Sequence, residues 1–210
     1  MLAWADYFKI LIALLVIVDP LAAIPPFVVM AGNLSETERK RIACVASIAV
    51  TTVLAVSAVI GESLLRFFGI TIASFKVGGA ILIMLMALSM VQARQVRDKQ
   101  TPEEEQEAVD KEQIAVVPLA IPLLAGPGAI SAVIIYAAEA RGVAHLALII
   151  AGCFIVGGAT WLALRAATPV ARLLGKTGIN IAVRLMGIVL AALAVEIFAS
   201  GIVVLLPGLK

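Results

Sequence analysis

A single carboxylate, that of Asp19, lies in the middle of the first apolar stretch of the chain and is followed at once by Pro20. A charge in apolar surroundings costs several kcal/mol, about 2.5–3.5 on membrane-insertion scales, so this carboxylate requires a partner or a task. It can receive an ammonium group, carry a coupling proton, or cap the helix that the proline interrupts. The three roles are compatible, and the residue types leave them open.

Prolines and small residues surround two such interruptions, one after Asp19 and one at Gly126-Pro127-Gly128. Each proline removes a backbone donor and frees a carbonyl. A helix that starts after Gly128 would point its N–H groups at a carboxylate, with the Ser131 hydroxyl as a further donor. These features predict a small binding site for a zwitterion, and an ordinary proline kink is the alternative. The predicted site consists of Asp19, Pro20, Ala23, Pro25, Pro122, Gly126, Pro127, Gly128 and Ser131.

Three further charged residues lie inside apolar stretches: Lys76, Arg184 and Glu196. Together with Asp19 they are the candidates for ion coupling or gating. Lys76 and Arg184 are also expected to extend toward the ends of their helices as ordinary interfacial cations. Glu196 fits a proton relay or a buried pair with a neighbouring helix equally well.

The composition of the chain indicates a membrane protein. Of the 210 residues, 62% are hydrophobic and 14% are charged, with a mean hydropathy of +1.11, whereas soluble proteins carry about 25% charged residues. We therefore predict an all-α integral membrane protein. Six stretches are long enough to cross a bilayer, and they cover residues 7–31, 42–61, 70–91, 114–138, 143–165 and 181–206.

Six crossings place both termini on one side, and the basic residues indicate which side. Four of them fall on the side of the termini: Lys9, Arg66, Arg141 and Lys210. Ten fall on the other side: Arg39, Lys40, Arg41, Arg94, Arg97, Lys99, Lys111, Arg165, Arg172 and Lys176. The bias predicts that both termini lie outside and that the charged segment of residues 92–113 is a cytoplasmic linker.

The two halves that flank this linker, residues 1–91 and 114–210, share sequence words. Pro20-Leu21-Ala22-Ala23-Ile24-Pro25 corresponds to Pro118-Leu119-Ala120-Ile121-Pro122, and Lys76-Val77-Gly78-Gly79 corresponds to Arg184-Leu185-Met186-Gly187. Because each half holds three crossings, the second copy is inverted relative to the first. The sequence therefore predicts a 3+3 inverted-topology repeat with broken first and fourth helices, an arrangement typical of secondary transporters.

No pattern of an enzyme accompanies these features. The only histidine is His145, no nucleophile lies beside a base, and no nucleotide-binding loop occurs. We expect no catalytic activity, no cofactor, no metal site and no nucleic-acid partner. The glycine pairs Gly78-Gly79 and Gly157-Gly158 suit close helix packing, either inside one bundle or between the protomers of a homo-oligomer.

Three segments of the chain resemble the MarC family of bacterial inner-membrane proteins. They are Asp19-Pro20-Leu21 with Ile24-Pro25, then Phe75-Lys76-Val77-Gly78-Gly79-Ala80-Ile81-Leu82, and the long word from Pro118 to Ile130. The resemblance covers nearly the whole chain. It implies a six-span protein of the LysE-like transporter superfamily, similar to the SnatA-type transporters of small neutral amino acids. Family members often carry Asn at the position of Asp19, which implies that the shared function does not require a fixed charge there.

We therefore expect a secondary transporter of alanine, glycine or serine in the inner membrane, coupled to a proton or a sodium ion. Two alternatives remain open at this point. One is a membrane interaction or regulatory protein that uses the acidic linker to recruit a cytoplasmic partner. The other is a transporter of another small solute.

Overall fold

Every regular element in the structure, a computed structural model that describes residues 3–31, 34–92, 124–139 and 142–209, is a helix. A short 3-10 turn at Pro207–Leu209 follows the last of them. The α-helices are α1 Trp4–Val18, α2 Ile24–Ala31, α3 Glu36–Phe67, α4 Ile72–Val91, α5 Pro127–Ala138, α6 Val143–Arg165 and α7 Ala167–Leu205. The predicted linker and the first part of the fourth crossing, with Pro118 and Pro122, lie outside the described residues.

Four of these helices are long and apolar enough to cross a membrane: α3, α4, α6 and the part of α7 at Thr177–Leu205. They correspond to the second, third, fifth and sixth predicted crossings, whose helical character is confirmed. The first predicted crossing consists of two helices, α1 and α2. The fourth is described from residue 124 onward and contains the shorter apolar helix α5.

Local sequence signals explain where the helices begin. At the start of α3, the Ser35 hydroxyl accepts from the Glu38 backbone N–H, and the Glu38 carboxylate accepts from the Ser35 N–H. This capping box satisfies two donors that the first turn leaves unpaired. It also explains why α3 begins six residues before the predicted crossing of residues 42–61, because its first turns are helical although they are polar. Within α7, Gly175 adopts a φ of 61° and separates a short first segment from the apolar remainder.

Helices from the two halves pack against each other in antiparallel pairs. In the α4–α7 pair, Gly201 faces Ala73 and Lys76, whereas Gly187 faces Met90 and the carbonyl of Ala87. In the α3–α6 pair, Gly157 lies against Thr51 and Ser47, and Arg39 reaches Thr168 just beyond α6. In each pair, residues with higher numbers on one helix contact residues with lower numbers on the other, so the two helices are antiparallel. The α4–α7 pair joins two segments that the sequence comparison aligns, and the α3–α6 pair joins the second and fifth crossings, which occupy the same place in each half.

Helix α5 forms the centre of this bundle. Its residues from Gly128 to Tyr136 are all buried except Ile130, which is partly buried. Gly61 of α3 contacts Ile134, and Gly79 of α4 faces Ser131 and Ile135. A helix that is apolar on every side is buried on every side, and the burial of this one begins at its second residue, Gly128.

Candidate functional site

The chain leaves its helical path between α1 and α2, at residues 19–23. Asp19 is the C-cap of α1 and adopts a left-handed conformation with φ 42° and ψ 72°. Its backbone N–H donates to the Leu15 carbonyl, and the Ala22 N–H donates to the Asp19 carbonyl. Asp19 is the only non-glycine residue with positive φ in the described part of the chain. Asp and Asn tolerate this conformation better than other side chains because their polar groups bond locally.

The Asp19 carboxylate is buried, with 6% of the residue exposed. The backbone N–H groups of Leu21 and Ala22 lie near it, in the turn between α1 and α2. Its Oδ2 atom has no hydrogen-bond partner among the described residues. The last turn of α1 carries no basic residue, and the carbonyl end of a helix is itself partly negative. The open oxygen thus lies in a place that favours a cation or a donor.

The start of α5 presents the opposite polarity. Gly126 is its N-cap, Pro127 occupies the first position, and the first bond of the helix runs from the Ile130 N–H to the Gly126 carbonyl at 3.0 Å. Proline lacks an N–H group. The N–H groups of Gly128 and Ala129 therefore precede the first intrahelical bond, and unpaired donors at a helix N-terminus favour anions.

The buried His145 gives a reference level from which the depths of Asp19 and of the start of α5 in the bundle can be compared. The Tyr7 hydroxyl lies 2.9 Å from His145 Nδ1, and His145 Nε2 lies 2.9 Å from the Tyr136 carbonyl oxygen. Tyr7 and Tyr136 are therefore at about the same level of the bundle. Asp19 is twelve residues along α1 from Tyr7, and Gly126 is ten residues back along α5 from Tyr136. At about 1.5 Å per residue these distances are about 18 and 15 Å.

Because α1 and α5 also contact each other, the open carboxylate oxygen and Gly126, the N-cap of α5, lie at the same depth to within about one helical turn. The sequence singled out His145 as the only histidine but held no signal that it joins Tyr7, a residue 138 positions away. This tie is the element of the site that sequence interpretation missed.

Two of the predicted site residues face another helix. A Cβ built on Gly128 would lie 2.6 Å from Met86 Sδ and 3.4 Å from Ile83 Cγ1, both on α4. Ser131, one turn further along α5, lies against Gly79 of α4. The missing side chain of Gly128 therefore admits α4, which gives this glycine a packing role that the sequence did not indicate.

The remaining predicted site residues, at both interruptions, differ in how deeply they are buried. Ala23 is completely buried, and Pro20 and Pro25 are partly buried. Gly126 is buried, whereas Pro127 is exposed. Pro122 lies outside the described residues.

The three charged candidates differ in their environment. Lys76 Nζ lies 3.5 Å from Glu139 Oε1, and both side chains are largely shielded, with 19% and 30% exposed. Glu139 follows the last residue of α5, so the ion pair joins α4 to α5 beside Tyr136. The sequence did not identify Glu139 as the partner of Lys76.

Arg184 and Glu196 are both exposed on α7. Neither forms an ion pair with a described residue. The buried helix-to-helix pair considered for Glu196 is therefore not found within this part of the chain. Glu62 and Arg66, one turn apart near the end of α3, form an exposed ion pair.

The chain is similar over nearly its whole length to known membrane proteins. The model of the MarC family integral membrane proteins matches residues 4–206. A UPF0056 membrane protein of Buchnera aphidicola from Acyrthosiphon pisum is 40% identical, with 97% of this chain and 94% of the relative aligned. The UPF0056 membrane protein YhcE of Escherichia coli is 36% identical over the same shares. A Methanocaldococcus jannaschii UPF0056 membrane protein is 36% identical, with 96% and 94% aligned. No solved structure matches the chain.

Proposed function

Because the chain belongs to the MarC family of integral membrane proteins, we propose that it is a secondary transporter of small neutral amino acids of the alanine, glycine and serine class. One observation carries the proposal. The open Oδ2 of the buried Asp19 lies within about one and a half helical turns, in depth, of the N–H groups of Gly128 and Ala129, which precede the first intrahelical bond of α5.

This pair of features fits the two charges of an amino acid. The ammonium group binds the Asp19 carboxylate at the negative end of α1, and the carboxylate binds the N-terminus of α5. Both groups of the zwitterion then find partners in a region where unpaired charges are costly. A substrate with only one of the two charges leaves one end of the site unmatched.

The size of the side chains supports a small substrate. Ala23 and Ala125 are completely buried, and Gly126 and Gly128 carry no side chain. Met86 and Ile83 of α4 fill the space next to Gly128. Large apolar or aromatic ligands need extended apolar surfaces, which these residues do not offer.

We propose that the two halves form an inverted-topology repeat and expose the site to each side in turn. The antiparallel α3–α6 and α4–α7 pairs support this proposal, because inverted repeats place repeat mates in opposite directions. The break between α1 and α2 supports it as well. Discontinuous helices at the repeat interface are typical of such transporters.

The shielded Lys76–Glu139 pair is the proposed gate at the end of the bundle that holds His145. It joins α4 of one half to α5 of the other, so opening this end requires that the pair separates. Arg184, the repeat mate of Lys76, is the candidate for the opposite end. Asp19 and Glu196 remain the candidates for a coupling proton or sodium ion, with Asp19 the better placed because it is buried.

The decisive experiment is counterflow in proteoliposomes that contain the purified protein. Vesicles are loaded with unlabelled alanine, glycine or serine, diluted into the labelled amino acid, and compared with empty liposomes and with vesicles loaded with leucine. We expect transient accumulation of label for the small amino acids and little for leucine. Imposed proton and sodium gradients then identify the coupling ion.

Saturable counterflow would support a carrier with an alternating site. Absence of flux for all three amino acids, from protein whose cooperative thermal unfolding demonstrates a folded state, would overturn the proposed substrate class.

A further inference from the structure

Basic side chains gather where the start of α3 meets the turn between α6 and α7, at the end of the bundle opposite His145. Arg39 lies in the second turn of α3, Arg165 is the last residue of α6, and Thr168 is near the start of α7. We refer to these three residues as the junction cluster. The 32 residues of α3, about 48 Å in length, run from this cluster to the end of the bundle that holds the Lys76–Glu139 pair.

Arg39 is incompletely satisfied in this position. A guanidinium has five N–H donors. The structure gives Arg39 one acceptor, the Thr168 hydroxyl, 3.4 Å from Nη1. Its Nε atom is buried without a hydrogen-bond partner among the described residues. A partly buried guanidinium with unused donors calls for an anion that the described protein does not supply.

The nearby carboxylates are engaged elsewhere. Glu36 forms an ion pair with Lys40, and Glu38 accepts hydrogen bonds from the backbone and hydroxyl of Ser35. Arg39 and Arg165 both lie within electrostatic reach of Glu36. The cluster therefore retains an excess of positive charge around one point.

The surroundings of the cluster place it at the boundary between water and hydrocarbon. The Arg165 guanidinium lies over the Trp161 ring, 5.0 Å from its centroid, and tryptophan favours this boundary in membrane proteins. The first segment of α7, which ends at the Gly175 kink, exposes Leu173 to 86%. Leu173 follows the exposed Arg172 in the sequence, and an exposed leucine next to an exposed arginine fits acyl chains below and headgroups above.

We infer that the junction cluster binds the phosphate of an anionic phospholipid, of the phosphatidylglycerol type, whose acyl chains lie along Trp161 and Leu173. Arg39 donates to the phosphate oxygens, and Arg165 contributes charge from above the Trp161 ring. Planar guanidinium groups match phosphate geometry. Basic clusters between membrane helices are known to suit such headgroups. The inference does not depend on the proposed transport activity.

The chain offers a built-in probe for this site because it contains only two tryptophans. Trp161 adjoins the cluster, whereas Trp4 is 80% exposed at the opposite end. In the Trp4→Phe protein, fluorescence reports Trp161 alone, and in the Trp161→Phe protein it reports Trp4 alone. Both proteins are reconstituted with phosphatidylcholine that contains a small, equal fraction of either brominated phosphatidylglycerol or brominated phosphatidylcholine.

We expect the brominated phosphatidylglycerol to associate with Trp161 about fivefold more strongly than the brominated phosphatidylcholine, the factor that one arginine near an anionic lipid provides. Trp4 should show little preference. Adding Arg39→Gln to the Trp4→Phe background should reduce the preference at Trp161 to near unity. Arg39→Lys, which keeps the charge but loses the planar group, should give an intermediate value.

Equal quenching of Trp161 by the two lipids would overturn the inference, and this comparison needs no arginine variant. So would a preference that survives Arg39→Gln, or an equal preference at Trp4. Inorganic phosphate, added at constant ionic strength against chloride, distinguishes the sources of the anion. If it abolishes the preference, the cluster binds the free ion and the lipid assignment is wrong.

Discussion

Asp19 combines a backbone property and an electrostatic property that a single substitution rarely separates. Its φ of 42° ends α1 and turns the chain toward α2, while its Oδ2 remains open for a ligand. Asparagine keeps the left-handed conformation and one side-chain oxygen but loses the charge. Glycine keeps only the conformation. This pair of variants therefore separates the two properties.

Asp19→Asn is expected to retain transport with a raised KM. The ammonium group loses a charge-assisted hydrogen bond and keeps a neutral one, a loss of about 1–2 kcal/mol, or roughly five- to thirtyfold in affinity. Asp19→Gly should remove saturable transport while the protein still folds. The measurement is the concentration dependence of counterflow, with thermal unfolding as the control for folding. Full activity of Asp19→Gly would exclude Asp19 from the binding site.

At the scale of elements, adjacent glycines have different roles that the sequence alone does not distinguish. Gly157 and Gly79 pack against neighbouring helices, at Thr51 and Ser131 respectively. At Gly158 and Gly78, no atom of the described protein lies within 4 Å of the place that a Cβ would occupy. The sequence left open whether these pairs pack inside one bundle or between protomers. One member of each pair packs inside.

This difference predicts opposite outcomes for two neighbouring substitutions. Gly157→Leu should destabilise the protein by several kcal/mol, because its side chain overlaps Thr51 and forces α3 and α6 apart. Gly158→Leu should leave the midpoint of thermal unfolding within a few degrees of the wild type. The two midpoints are compared in the same detergent. Equal destabilisation by both changes would contradict the α3–α6 packing described above.

The helices were predictable to the extent that hydrophobicity determines them. The predicted bounds of the fifth crossing, 143–165, coincide with α6, because Gly142 and Arg165 bound its apolar run. The predicted second crossing begins six residues later than α3 does, because a capping box, and not apolarity, sets the start of this helix. The break after Asp19 was predictable from Pro20.

The arrangement of the site was less accessible, since spacing along a helix does not tell which neighbour a residue faces. Gly128 and Ser131 share one face of α5, and only the packed bundle reveals that this face meets α4. The partner of Lys76 is 63 residues away. Pairing over such separations depends on topology, and the sequence carried no local signal for it.

For the molecule as a whole, charge is distributed unevenly between the two ends. Among the described residues, Arg39, Lys40, Arg41, Arg165 and Arg172 lie at the end with the junction cluster. Lys9 and Arg66 lie at the end with His145 and form ion pairs with Asp6 and Glu62. The positive-inside rule therefore predicts that the His145 end and both termini face outward.

This orientation predicts the behaviour of fusions at the C-terminus in bacteria. Alkaline phosphatase, which needs the oxidising periplasm, should be active there, and green fluorescent protein should be dark. The same reporters inserted after residue 92 should behave in the reverse way. A bright fusion at the C-terminus would show that the orientation is inverted.

The two halves also meet in the Lys76–Glu139 pair, and its proposed gating role can be tested by charge reversal. Lys76→Glu and Glu139→Lys should each lower transport by about tenfold, because like charges oppose closure of this end. The double variant should recover most of the activity, with a coupling energy of about 1–2 kcal/mol. Additive losses in the double variant would mean that the pair does not act as a unit.

The histidine tie constrains more than depth. Since the Tyr136 carbonyl can only accept, Nε2 of His145 carries the proton, and Nδ1 in the neutral ring accepts from the Tyr7 hydroxyl. One imidazole thus touches α1 through one nitrogen and α5 through the other, on the two helices that carry the opposite poles of the proposed site. Any motion that separates α1 from α5 must break one of these bonds. Because the chain has a single histidine, the nitrogen resonances of this one ring would report whether both bonds are intact, without any foreign label.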